Sequence, residues 1–420
     1  MQINFNTATF KDFEKIPGFN AVQRASKFGE FLNFMRANDH LNYRLVNVTG
    51  CRPETEIITP YSNGQPVNVV SLVSNDYLNL TQHPKVKAAS IAAIEEFGTG
   101  SGASPLIGGH LSYHDSLEKR IAEFFGRTED CAVTFTTGYT ANSATLLSLL
   151  VDGDAAIVDS AVHTSVYEGL KNATTKSFPH NDMEALERNL KFFEGKHDTI
   201  LIIVDGVYSQ DGDIAPLDTV HHLAKKYNAL VMVDDAHGIG VLGKTGRGAL
   251  EDFDLLEKVD IITGTFSKTF GHIGGYVISS PAIVNYLKFQ SRQHIFSSTA
   301  TPASAGILKA IDLIDEEPEL RAQLWKNITY LKNGLEGMCL YLGTTCSAIV
   351  PVKICNIALT GDTGKLLLKA GVFANPILYP AVAKNNSRIR MSVMTTHTKE
   401  HLDKVLNAFD YVNQNLHISI

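Results

Sequence analysis

Lys268 closes the run Thr263-Gly264-Thr265-Phe266-Ser267-Lys268, which brings two hydroxyls, Thr265 and Ser267, within three residues of an amine. An amine desolvated beside other cations or imines is the usual nucleophile for carbonyl carbon. The hydroxyls can donate to phosphate oxygens, and Gly264, Gly271, Gly274 and Gly275 let the backbone approach a ligand closely. Taken alone, such a lysine is a solvated surface side chain; its company argues otherwise. Asp234 lies in Val233-Asp234-Asp235-Ala236-His237 at the end of an apolar run. A carboxylate buried there needs a cationic partner, because its desolvation is otherwise prohibitive. A pyridinium nitrogen is one such partner, and the pairing keeps the ring protonated as an electron sink. His237 could then reach the ring's phenolic oxygen. The competing reading is an N-capping aspartate followed by a core histidine. His163 is a candidate to stack on the same ring, although a lone histidine is more often a satisfied core residue. Gly138 and Tyr139 follow the Val133–Phe135 run and open a helix expected over Ala141–Leu150, so their amides suit a phosphate. The stretch Gly98-Thr99-Gly100-Ser101-Gly102 misses the G-x-G-x-x-G spacing, and no strand precedes it. It reads as a turn near the site.

These residues must be held by elements that the apolar pattern outlines. Short runs at Ala132–Phe135, Ala156–Val158, Ile200–Val204, Leu230–Val233, Ile261–Ile262 and Tyr276–Ile278 alternate with helical segments. That pattern predicts βαβ units and a mostly parallel sheet covered on both faces. Asp159, Asp205 and Asp234 each follow such a run, so one rim collects three carboxylates, hydroxyls and a lysine, where ligands of open α/β sheets sit. Pro53–Gln65 reads as a turn-rich connection. Pro302–Asn333 reads as helical, broken at Glu316, Glu317 and Pro318, and Cys346–His397 reads as a small α+β lobe. The expected division is an N-terminal arm over 1–67, a large domain over 68–305 and a small domain over 306–420.

The whole chain of 420 residues is 44% hydrophobic and 19% charged with a net charge of −7, and its charges are interleaved. It has no basic face for nucleic acid. No apolar run approaches the roughly 20 residues of a membrane span, which leaves room only for peripheral membrane association. The N-terminus lacks a signal-peptide layout. Five cysteines, Cys51, Cys131, Cys339, Cys346 and Cys355, show no metal-ligand spacing and read as reduced thiols of a cytoplasmic protein with no metal.

The ordered motifs SNDYLNL (Ser74–Leu80), GTGSGAS (Gly98–Ser104), TGYTAN (Thr137–Asn142), DGVYSQDGDIAPL (Asp205–Leu217), VDDAHGIGVLGKTGRG (Val233–Gly248), GTFSKTFGHIGGY (Gly264–Tyr276), FSSTATP (Phe296–Pro302) and SRIRMSV (Ser387–Val393) resemble the α-oxoamine synthases, a branch of the fold-type-I pyridoxal-phosphate enzymes. The resemblance spans roughly residues 68 to 400. It implies an α/β fold with a mostly parallel seven-stranded sheet flanked by helices, a small C-terminal α+β domain and an N-terminal arm. It also implies a homodimer with shared active sites and pyridoxal 5'-phosphate as cofactor. On that resemblance Lys268 is the Schiff-base lysine, Asp234 the pyridinium partner, His163 the stacking residue and His237 a contact to the phenolic oxygen. Gly138, Tyr139, Ser209, Thr265 and Ser267 would hold cofactor or phosphate, with Ser297 and Ser298 reaching the phosphate from the other subunit. Asn75 and Arg390 match substrate-handling positions, Arg390 as a bidentate carboxylate clamp.

The implied reaction is a decarboxylating condensation of a small L-amino acid with an acyl thioester, carried on coenzyme A or acyl carrier protein, giving a 3-oxo amine. Within the family, Phe373–Thr398 and DGDIAPL are most similar to bacterial serine palmitoyltransferases. That favours serine, or cysteate as in sulfonolipid synthesis, and a long acyl chain. Glycine and alanine rank behind, as do the oxononanoate synthase, aminoketobutyrate ligase and ketone-autoinducer synthase. Two departures lie near the family's substrate mouth: Pro105 replaces a common arginine, and Asn79 a common glycine. Readings of another class are a catalytically silent partner subunit, which would lack Lys268, and an aminotransferase, which would lack the TGYTAN and SSTATP contexts.

Overall fold

The computed structural model describes residues 3–419. Its contacts divide the chain into two compact units, Asn75–Leu324 and Met1–Ser74 with Trp325–Ile420. The divisions expected from sequence fall at 67/68 and 305/306. The helix Gly306–Glu316 therefore groups with the first unit, and the N-terminal segment joins the C-terminal one.

The larger unit is built on seven strands, β1 (Ala132–Phe135), β2 (Ala155–Asp159), β3 (Thr174–Phe178), β4 (Ile200–Asp205), β5 (Leu230–Asp234), β6 (Ile261–Thr265) and β7 (Gly275–Ser279). Their order across the sheet is β1-β7-β6-β5-β4-β2-β3. All neighbours run parallel except β7, which is antiparallel to both β1 and β6. The apolar runs become fully buried strands because helices cover the sheet, which removes the in/out alternation. Val133, Val158, Ile203 and Met232 pack with Ala144 and Leu146 of helix α1 (Gly138–Leu149) in one buried cluster. Each of the larger side chains, Val133, Val158, Ile203, Met232 and Leu146, contributes roughly 1.5–3 kcal/mol by leaving water.

Register is what builds the rim. Asp205 pairs with Asp234 across β4 and β5, and Asp234 pairs with Thr263 across β5 and β6. The carboxyl ends of the parallel strands are thus level, and side chains that follow each apolar run converge. Thr137 caps α1 by accepting from the Thr140 amide at 3.0 Å, which fixes the first turn of that helix at the end of β1. β3 was not anticipated. Its sequence, Thr-Thr-Lys-Ser-Phe, is polar and mostly exposed, as suits an edge strand.

In the other unit, Glu54–Ile58 and Pro66–Ser71 pair antiparallel, and Val372–Phe373 adds in parallel beside Pro66–Ser71. A strand therefore occupies part of what the sequence reading took for a turn-rich connection over 53–65; Thr59–Gln65 alone forms the turn. Ile349–Lys353, Arg388–Ser392 and Asn375–Ile377 make a separate antiparallel sheet beside helix Ile357–Lys369, the α+β arrangement expected for 346–397. Asn79 and Pro105 both have local explanations. Asn79 sits at φ 55°, in the left-handed region where glycine is favoured and asparagine is tolerated. Pro105 opens a single π-helical turn, Pro105–Gly109, on which Ile107 is 78% exposed.

Candidate active site

At the rim, side chains from β4, β5, the β6–β7 connection and the start of α1 enclose a cavity of about 220 Å³. Nine of the thirteen residues given a catalytic, cofactor-binding or substrate-binding role from sequence line it: Gly138, Tyr139, His163, Ser209, Asp234, His237, Thr265, Ser267 and Lys268. Thr137, Asn142, Asp205, Val207, Ala236 and Gly264 complete the wall.

Asp234 is buried, and its oxygens are held by neutral donors. The Asn142 amide donates to Oδ2 at 2.6 Å and the Ala236 backbone amide to Oδ1 at 3.1 Å. Asn142 is itself fully engaged. Its second N–H reaches Ser165 Oγ at 2.9 Å, and its Oδ1 accepts from Thr263 Oγ1 at 2.6 Å. Ser165 Oγ lies 2.7 Å from His163 Nδ1, so one network joins Asp234 to the imidazole. Burial pushes His163 below the usual histidine range; the Asp234 charge opposes this and the Lys268 charge adds to it. Asp205, beside Asp234 in the sheet, is pushed well above the carboxylate range by burial and by the Asp234 charge. His237 shares a 2.6 Å hydrogen bond with the hydroxyl of the fully buried Tyr77.

The hydroxyls beside Lys268 are organised too. Thr265 Oγ1 and Ser267 Oγ are 2.7 Å apart, and the Ser267 amide donates to Thr265 Oγ1 at 3.1 Å. Gly138 packs directly against Thr265: a Cβ at 138 would lie 2.6 Å from the threonine Cβ. The second aspartate of the Asp234-Asp235 pair has a structural task. Burial pushes Asp235 up to about 7, its Oδ2 accepts from the Ala249 amide at 2.6 Å, and Gly206, Gly238 and Gly248 pack against its carboxyl.

Asp159, the third rim carboxylate, does not line the cavity. His180 lies between it and Asp213, with Nδ1 3.1 Å from Asp159 Oδ1 and Nε2 3.0 Å from Asp213 Oδ2. Burial alone would lower the imidazole, but hydrogen bonds to the two carboxylates outweigh it and raise His180 to about 10. The adjacent Asn181 amide donates to Asp159 Oδ2 at 2.8 Å, and Asn181 Nδ2 to the Ile214 carbonyl at 3.2 Å. Residues 207–214, closed by a bridge between Val207 and Ile214, are thereby tied to the end of β2. That loop carries Ser209.

Four sequence candidates lie outside the cavity wall. Ser297 and Ser298 are exposed, with Ser298 Oγ 3.1 Å from Ser101 Oγ. Asn75 Oδ1 accepts from Tyr77 Oη at 3.4 Å. Arg390, on the strand Arg388–Ser392, is buried and donates to Ser392 Oγ at 3.0 Å. The sequence reading assigned no role to Asn142 or Ser165. Asn142 falls one helical turn after Gly138, so its place on the glycine's face of α1 was the available signal. Ser165 gave none.

The donor set suits pyridoxal phosphate. It offers an amine for the aldehyde at Lys268 and, at Asp234, a buried carboxylate held by the neutral Asn142 and Ala236 donors for a ring cation. Paired hydroxyls facing a capped helix N-terminus would receive the phosphate.

The class I and II aminotransferase family matches residues 67–409. An 8-amino-7-oxononanoate synthase of Thermoanaerobacter pseudethanolicus is 40% identical over 353 residues, covering 83% of this chain and 89% of that protein. One of Alkaliphilus oremlandii is 38% identical, covering 92% and 98%. Among solved structures, the serine palmitoyltransferase of S. paucimobilis with a bound pyridoxal phosphate–myriocin aldimine superposes with a TM-score of 0.89 at 29% identity, covering 95% of this chain and all of that one. The chain belongs to the class I and II aminotransferase family and, within it, to the α-oxoamine synthases, acyltransferases that use pyridoxal phosphate.

Proposed function

We propose that this enzyme joins L-alanine to a dicarboxylic acyl thioester with loss of CO₂, yielding 8-amino-7-oxononanoate. The convergence of Lys268, Asp234 and His163 on one cavity carries the reaction class. Identity of about 40% to 8-amino-7-oxononanoate synthases carries the substrates, because that product is an alanine fragment joined to a seven-carbon acyl chain bearing a terminal carboxylate. This moves alanine and the oxononanoate synthase ahead of the serine and cysteate expectation. Sphingoid and sulfonolipid products lose their support from sequence relatives. Serine with a long acyl chain stays as the second reading, because the backbone superposes on a serine palmitoyltransferase with a TM-score of 0.89.

When bound, pyridoxal phosphate supplies an aldehyde carbon that captures amines and a protonated ring that absorbs negative charge. Lys268 would hold that aldehyde and, once displaced by substrate, serve as the base for the α-proton, being the only lysine among the described residues of the cavity wall. The Asp234 carboxylate would keep the ring nitrogen protonated. The α1 amides at Gly138 and Tyr139 with the Thr265 and Ser267 hydroxyls would seat the phosphate. A bond would then form from the amino acid α-carbon to the thioester carbonyl as the thiol departs, the carboxylate would leave as CO₂, and the α-carbon would take back a proton, which the protonated Lys268 amine can supply. Ser297 and Ser298, exposed and off their own chain's cavity, support a homodimer in which each chain completes its partner's site.

Absorbance titration of the cofactor-loaded enzyme with alanine, serine, cysteate and glycine tests the substrate. Alanine is expected to saturate at the lowest concentration and to turn over with a dicarboxylic acyl thioester. Tighter saturation by serine, with turnover only on long-chain thioesters, would install the second reading. Lys268→Ala is expected to abolish both the visible absorbance of the lysine-bound cofactor and turnover; a fully active variant would end the mechanism.

A further inference from the structure

The hydrogen bonds around His163 have a direction. The Ser165 backbone amide donates to His163 Nδ1 at 3.3 Å, and a backbone N–H can only donate, so Nδ1 is an acceptor. Ser165 Oγ, 2.7 Å from the same nitrogen, already accepts an N–H from Asn142. Its own hydrogen is thus available for Nδ1. The Asn142 amide is fixed in turn, because the Asp234 carboxylate only accepts and the Thr263 hydroxyl fills Asn142 Oδ1. The chain of donors runs Thr263 to Asn142, Asn142 to Ser165, and Ser165 to His163.

We propose that Ser165, oriented by Asn142, is a positioning residue that holds His163 neutral with its proton on Nε2. The inference rests on the reading of His163 as the residue stacked on the cofactor ring. An imidazolium over a protonated pyridine ring would set like charges face to face, whereas a neutral imidazole stacks without that repulsion. Protonating Nδ1 would also set the Ser165 backbone N–H against a second N–H and force the Ser165 hydroxyl to turn away. The charged and titratable groups facing the imidazole are Asp234 from β5, Asp205 from β4, which accepts from the His163 backbone amide, Lys268 from the β6–β7 connection, and Tyr139 from α1, whose ring lies edge-on at 6.0 Å. Burial already disfavours the charged ring and the Lys268 charge adds to it, against the pull of Asp234; a Ser165 hydroxyl donating to Nδ1 would favour the neutral form further.

The test is the pyridoxal-phosphate dissociation constant of cofactor-free protein, followed by absorbance for wild type, Ser165→Ala and Ser165→Thr between about pH 5.5 and 8.5. Comparison with wild type at each pH cancels the titration of groups common to all three. Ser165→Ala is expected to bind about tenfold more weakly than wild type at the acid end, the effect of one unit of histidine pKa, and to approach wild type at the alkaline end. Ser165→Thr, which restores the hydroxyl, is expected to follow wild type throughout. A Ser165→Ala to wild-type ratio that does not change with pH overturns the proposal, whether the ratio is one or larger. Should Ser165→Ala fail to fold, Ser165→Cys, a weaker donor of similar size, is expected to show a smaller shift in the same direction, and a flat ratio there is equally fatal. Failure of wild type to bind the cofactor at any pH would sink the reading of the site, a result distinct from a flat ratio.

Discussion

A methyl group added at Gly138 would collide with Thr265, and the collision falls between the two elements expected to seat the phosphate. Gly138→Ala must push the first turn of α1 away from the Thr265–Ser267 hydroxyls. Cofactor affinity is expected to fall by more than about tenfold, at least 1.4 kcal/mol, with little change in helix content. Titration of the cofactor-free variant alongside circular dichroism checks both halves. At this scale the sequence was informative where chemistry needs one residue type at one position. That Lys268, Asp234, His163 and His237 meet in one cavity was legible, since each follows an apolar run or stands in a motif. Asn142 and Ser165 were not, because their importance lies in hydrogen bonds to residues 92 and 23 positions away. Nothing in a linear pattern marks an amide whose three bonds are satisfied only after the sheet has formed.

Among elements, the His180 clamp shows how one imidazole between two carboxylates ties the loop over 207–214 to the rim. Because the folded imidazole titrates near 10, above the usual histidine value, its contribution to stability is complete below about pH 6.5 and is lost as pH rises through about 10. His180→Leu leaves the fully buried Asp159 without its cation. We expect a loss of about 3 kcal/mol at pH 7, seen as a lower urea midpoint, with the gap to wild type narrowing as pH approaches 10. A gap that widened with pH would show that the imidazole is not charged in the native protein. Six of the seven strands of the large sheet were anticipated within a few residues, because full burial leaves uninterrupted apolar runs. β3 escaped notice because an edge strand carries a polar sequence, and Glu54–Ile58 because its burial alternates among charged residues.

For the whole molecule, the testable claim is that one chain alone does not complete the site. Lys268→Ala and the double variant Ser297→Ala, Ser298→Ala are each expected to be inactive at limiting cofactor. Random mixing of the two should restore about a quarter of wild-type activity, since half of the dimers are mixed and each has one intact site. Sedimentation should report twice the mass of one chain. No recovery on mixing, with dimers present, would confine the active site to a single chain. The grouping of the N-terminal segment with the C-terminal unit was beyond sequence reasoning for a related cause. Val372–Phe373 pairs with Val70–Ser71 across some three hundred residues, and two-residue strands leave no periodicity to read.

The reversed strand β7 has a consequence for the lysine. Thr265 and Gly275 are partners in the ladder, so the segment 266–274 is a closed return whose two ends are stapled side by side, unlike the helical crossovers that join the parallel strands. Inside that return the Phe266 amide donates to the Gly274 carbonyl at 2.9 Å, the Gly271 amide to the Lys268 carbonyl at 2.9 Å and the His272 amide to the Phe266 carbonyl at 2.8 Å, so the path of the chain around the lysine is set by its own hydrogen bonds. Inserting even one residue there should scramble the amine's position, whereas the crossovers could absorb the same insertion at their outer turns. The amine expected to do the chemistry thus hangs from a return whose internal hydrogen bonds fix where it can go.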